Sequence, residues 1–141
     1  MNSASLHWSA AYLGRPWVLG ATGPESYDCW GLVRDVFRAR CGVEIAAAGF
    51  ESEAPRTLIE GIKGYPAWAQ WREVETPAEL DAVLMAQSRH PVHVGLWIGN
   101  ALSGLVLHTT KSGGVVVQGR ASLAAVGFRI VGTYRHESRP G

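Results

Sequence analysis

An α+β domain is the fold class this chain predicts, with helices in its first half and an antiparallel sheet in its second. Three observations carry that expectation. Residues 29–40 set apolar side chains at the i, i+3, i+4, i+7 spacing of a helix with one buried face. From residue 92 onward, short apolar runs are separated by Gly, Asn and Ser, the punctuation of strands and tight turns. The 141 residues, 47% hydrophobic and 18% charged, are enough for one core without staples or metals. Residues 1–141 therefore read as a single domain, without repeat, linker or low-complexity segment.

Taken in order, Ser5 caps a short helix to Leu13, stopped by Gly14 with Pro16 beyond. Gly20 to Pro24 is loop. Asp28 is the N-cap of the next helix, whose buried face is Val33, Val36, Phe37 and the aliphatic stem of Arg40. Cys41 ends this helix and Gly42 stops it. Ser52 caps a third helix that buries Leu58, Ile59 and Ile62 and ends at Gly64-Tyr65-Pro66. Thr76-Pro77-Ala78-Glu79 is a capping box with proline at the first helical position. Local rules carry that helix through Leu84, yet Asp81 to Ala86 also reads as a buried strand. One helical turn followed by a strand is the expectation. Strands follow at Val92–Ile98, Gly104–His108, Gly114–Gln118 and Phe128–Tyr134.

Composition excludes several function classes. A net charge of +1 without a basic stripe gives no electrostatic case for nucleic acid. The late arginines Arg120, Arg129, Arg135 and Arg139 are spread over strand and tail, as on a solvated surface. Met1 to Trp8 has no basic region followed by a long apolar stretch, and no segment is apolar enough to span a membrane. Synthesis in the cytoplasm without a signal peptide is the expectation. Cys29 and Cys41, at opposite ends of one helix, stand about 18 Å apart. A disulfide needs Cα atoms within about 7 Å, so both are expected as free thiols.

The chemistry centres on Cys29. A thiol at a helix start gains from the helix dipole, and a histidine on a following strand supplies an imidazole to hold a thiolate and protonate a leaving group. The run His93-Val94-Gly95-Leu96-Trp97-Ile98-Gly99 provides that histidine, with Gly95 leaving room on the same strand face. Asp28 opposes the dipole unless its oxygens are spent on the helix-start N–H groups. His108, ending Leu105-Val106-Leu107-His108, is placed to fix the tautomer of His93; Asn100 and Gln118 are weaker candidates. The bland alternatives are a buried structural thiol and strand-end histidines. His90 and His93 form a His-x-x-His pair, but in an extended segment they face opposite ways, and Pro91 disfavours the helix that would align them. Core packing is the default for the six tryptophans, although Trp17, Trp68 and Trp71 also suit a substrate groove.

The runs Asp28-Cys29-Trp30-Gly31-Leu32-Val33 and His93-Val94-Gly95-Leu96-Trp97-Ile98-Gly99, followed by Val106-Leu107-His108, resemble the NlpC/P60 family of papain-like cell-wall cysteine peptidases. Asp81 to Met85 sits where that family places the strand before its histidine. The resemblance implies a papain-like fold with N-terminal helices packed on a C-terminal antiparallel sheet. It also implies Cys29 as nucleophile, His93 as general base and acid, and His108 as the orienting third member. The implied substrate is a peptidoglycan stem peptide, commonly cut at a γ-D-glutamyl bond to a diamino acid, with no metal or organic cofactor. Two positions depart from the family pattern. Trp30 replaces the usual Ser, a variant associated with phage or prophage tail gene clusters, and Trp17 aligns with a tyrosine that helps bind the oxyanion. Asp28, Trp17 and Trp30 are thus the candidate substrate and oxyanion contacts, and phage tail proteins the implied partners of a virion-borne enzyme. Two alternatives stay open: an inactive tail-tip assembly protein of the same fold, and a papain-like amidase or acyltransferase on another substrate.

Overall fold

The computed structural model describes residues 7–46, 69–87 and 90–140. The expected helix from Ser52, and Trp68, lie outside the described residues. Among the described residues, no helix is long and apolar enough to cross a membrane.

Helix α1 spans Cys29–Cys41 with Asp28 as N-cap and Gly42 as C-cap, as its pattern predicts. Asp28 accepts from the Gly31 backbone N–H at 2.6 Å, the orphan donor that an N-cap is placed to satisfy. Gly42 takes φ 67°, a left-handed conformation that glycine adopts without a Cβ clash. The buried face is wider than expected, with Trp30 and Leu32 added to Val33, Val36 and Phe37. Each fully buried aliphatic or aromatic side chain there contributes about 1.5–3 kcal/mol, which makes α1 the anchor of the first core cluster. Cys29 and Cys41 are the helix's first and last residues, and both are free thiols.

Among the described residues the sheet has six antiparallel strands: β1 Trp71–Val74, β2 Ala82–Gln87, β3 His90–Ile98, β4 Leu105–Thr110, β5 Gly114–Gln118 and β6 Phe128–His136. Their spatial order is β1-β6-β2-β3-β4-β5, so the last strand inserts between the first two. One face, through Val94, Leu96, Ile98 and Leu107, packs on α1. The other carries Val83, Met85, Trp97 and Val106 against Leu123, from a short helix α2 at Arg120–Ala125. The result is an α+β, papain-like arrangement.

Several elements differ from expectation. Ser5 lies outside the described residues; within them, the expected first helix is a 3₁₀ turn, Trp8–Ala11, with His7 as its N-cap. Residues 77–80 do not start a helix. Asp81 reaches back to accept from the Ala78 N–H at 2.7 Å and both its oxygens bind Arg135, so tertiary pairing overrides the capping box. The strand half of that expectation holds as β2. Strand β1 and helix α2 were not anticipated. At four and six residues, each with a single buried side chain (Trp71 and Leu123), they are too short for a period to be read.

Candidate active site

The site forms where β3 and β4 stop pairing. Their ladder runs Leu96↔Leu107, Trp97↔Val106, Ile98↔Leu105 and ends there, although β3 continues to His90 and β4 to Thr110. Trp97 donates its N–H to Asp81 and accepts from the Leu80 N–H, so its polar groups face β2. Two-residue alternation then turns the Val94 N–H toward β4, where the ladder no longer supplies an acceptor. The backbone N–H groups of Val94, Trp30 and Cys29 lie near enough to the Cys29 sulfur to favour its thiolate. Val94 is the residue that follows His93 on β3.

The approach to Cys29 is rigidly held. Asp28 spends its second oxygen on the Gly20 N–H at 2.8 Å, and its own N–H bonds the Ala21 carbonyl at 2.9 Å. That carbonyl also lies over Gly31, where any Cβ would collide with it. A glycine two residues after Cys29 lets the loop close onto the helix start.

His93 and His108 form a pair on the sheet face that also carries Trp97 and Val106. His93 Nε2 and His108 Nδ1 are 2.8 Å apart, and His108 Nε2 lies 2.8 Å from Gln118 Oε1. Phe128 stacks on His93, with centroids 5.2 Å apart and planes inclined by 23°, and meets His108 edge-on. Gly95 permits this crossing, because a Cβ there would sit 2.7 Å from the Leu107 carbonyl and 2.9 Å from His108 Cβ. Among the described residues, no hydrogen bond joins Cys29 to His93.

Electrostatics make the resting pair neutral. Burial first, and then the Asp28 carboxylate, push the Cys29 thiol up to about 12, outweighing the three N–H groups. Burial, with a smaller contribution from the neighbouring His108, pulls His93 down to about 3. The expectation that the helix start would leave a low-pKa thiol is thus corrected: Cys29 is only 8% exposed, and desolvation dominates.

The remaining candidates sort clearly. Trp30 is 1% exposed, and its indole N–H goes to the Ala46 carbonyl at 2.8 Å. Its ring is therefore core, which corrects the expectation of a substrate contact; only its backbone N–H reaches the sulfur. Asp28 is buried, with both oxygens on backbone N–H groups, so its observed work is structural. Trp17 is partly exposed, bridges Tyr27, and carries the Lys111 ammonium 5.1 Å from its ring centre. Trp71 is core, packed on Phe37 and His136. Asn100 serves the β3–β4 turn, accepting from Leu102 and Ser103. Phe128 was not singled out from sequence, because no local signal ties a residue 35 positions away to the ring of His93.

The NlpC/P60 family model matches residues 14–124, a stretch that contains Cys29, His93, His108 and Gln118. The chain belongs to the NlpC/P60 family. Among solved structures, this NlpC/P60 chain is similar to the crystal structure of the NlpC/p60 domain of the peptidoglycan hydrolase SagA. Identity is 18%, over 86% of this chain and 89% of that one, with a TM-score of 0.54. At that identity the likeness is one of fold. Comparison with curated proteins finds no match.

A pH dependence of stability follows from the histidines of this NlpC/P60 chain. Burial holds His93, His108 and His136 all below the ordinary 6.5. The unfolded chain then binds more protons than the folded one once pH falls to about 6.5, so stability is complete above that value and declines below it. The urea midpoint is expected to be level from about pH 8 to 7 and to fall steadily toward about pH 5. A midpoint that rose on acidification would contradict neutral, buried imidazoles.

Proposed function

We propose that this chain is a cysteine peptidase acting on the peptide stems of peptidoglycan, with Cys29 as nucleophile, His93 as general base and acid, and His108 as the orienting group. The reading is supported by a buried thiol at the helix start whose sulfur lies near the backbone N–H of Val94, the residue after His93, and by the hydrogen bond between the His93 and His108 rings. Family membership and the activity named for the SagA domain support the substrate class.

Because the resting groups are a thiol and a neutral imidazole, attack is a general-base step rather than the reaction of a standing ion pair. His93 Nδ1, the nitrogen not engaged by His108, takes the thiol proton as the sulfur bonds the amide carbonyl carbon. The carbonyl oxygen gains the negative charge, with the Cys29 N–H as a donor to it. The C–N bond breaks, His93 returns the proton to the departing amine, and a thioester remains. Water then gives a proton to His93 and adds to the thioester carbonyl, releasing the acid and restoring the thiol. The γ-D-glutamyl bond to a diamino acid is the proposed cleavage point. A phage or prophage tail is the proposed setting, supported by Trp30 in place of the family's usual serine.

A second reading is a tail-tip assembly protein that keeps the fold without the activity, favoured by the 8% exposure of Cys29 and its raised pKa. Incubating the protein with purified muropeptides and weighing the products by mass spectrometry separates the two. The peptidase reading expects two fragments whose masses sum to the substrate plus one water. Intact substrate after prolonged incubation would leave the assembly reading.

A further inference from the structure

We propose that Gln118 is a positioning residue that sets the protonation pattern of both histidines, so that His93 presents a bare Nδ1. The inference rests on the peptidase reading for its consequence, but its physical content is a chain of hydrogen bonds already in place. His108 is fully buried and uses both ring nitrogens, Nε2 toward Gln118 Oε1 and Nδ1 toward His93 Nε2, each at 2.8 Å.

A neutral imidazole carries one N–H and one lone pair. The side-chain oxygen of Gln118 only accepts, so His108 must hold its proton on Nε2. Its Nδ1 is then a lone pair, and the contact at 2.8 Å requires His93 to hold its own proton on Nε2. Nδ1 of His93 is left unprotonated, the form a general base needs. Were the Gln118 amide turned over, its NH₂ would donate, every proton in the chain would shift, and His93 would carry N–H on Nδ1, unable to accept from the thiol. One terminal acceptor, two residues removed from the sulfur, thus decides whether the base is active. Gln118 closes β5, and the pairing of His108 with Val116 and of Val106 with Gln118 brings it alongside the His108 ring.

The test uses ring-nitrogen chemical shifts of the ¹⁵N-histidine-labelled protein near neutral pH, without substrate, in the wild type and in Gln118→Glu and Gln118→Met. The wild type and Gln118→Glu, both ending in an acceptor oxygen, should show Nε2–H on His93 and His108. Gln118→Met keeps the side-chain length without a strong acceptor and should show mixed tautomers at His108. Its kcat on muropeptides should fall on the order of tenfold with KM unchanged, and Gln118→Glu should restore most of the loss while moving the acidic limb of the pH profile upward. The proposal is overturned by Nδ1–H on His93 in the wild type, or by wild-type tautomers in a folded Gln118→Met. The tautomer measurement needs no turnover. A wild type that cleaves nothing yet shows the expected tautomers would sink the peptidase reading and leave the assignment of Gln118 standing.

Discussion

Cys29→Ala is expected to lower muropeptide cleavage by at least about 10³-fold while leaving the fold intact. The sulfur is the only atom proposed to bond to the substrate, and no second thiol stands in for it, since Cys41 lies at the far end of α1 beside Arg139. Alanine keeps the helix start and the Asp28 cap, because Asp28 bonds backbone N–H groups and not the sulfur. The vacated volume is one sulfur, so the cost in stability is about 1 kcal/mol. Product masses and a urea midpoint, taken on the same preparation, check both halves. Cleavage by Cys29→Ala at the wild-type rate would dismiss Cys29 as nucleophile.

Arg135→Met carries the largest expected loss of stability. Asp81 is fully buried and receives the Arg135 guanidinium in a two-point grip, Nε on Oδ1 and Nη2 on Oδ2, each at 2.8 Å. Its remaining capacity goes to the Ala78 N–H at 2.7 Å. Removing the guanidinium leaves an uncompensated carboxylate away from water, a loss of about 3 kcal/mol. The damage centres on the turn before β2, where Leu80 holds φ 73°, a strained conformation for a branched side chain. Arg135 also donates to the Thr76 carbonyl at 3.1 Å, so the whole 76–81 segment loosens. Urea unfolding should show the fall, and adding Asp81→Asn should recover part of it by removing the stranded charge. A double variant less stable than Arg135→Met would contradict this account.

Much of the fold around the candidate site was legible in the sequence. Helix α1 could be placed to the residue because its cap, apolar spacing and stop glycine are local signals that agree with its packing. Three later strands were placed within two residues at each end, and β5 at its exact bounds, because alternation and turn residues mark them. The same patterns nominated Cys29, His93 and His108, whose catalytic roles the muropeptide and variant assays will decide.

What only the tertiary structure decided were the features that depend on partners far apart in the chain. Residues 77–80 have a helix-start pattern, yet Arg135, more than fifty residues later, draws Asp81 into a buried ion pair. Helix-start position alone favours a thiolate at Cys29, but desolvation by the sheet beneath it raises the thiol instead. Phe128 and Gln118 reach the histidines only because β6 and β5 fold back across the sheet. Local propensity is set by neighbours within a few residues. Desolvation and long-range pairing depend on what arrives when the sheet closes, and no window along the chain contains that information.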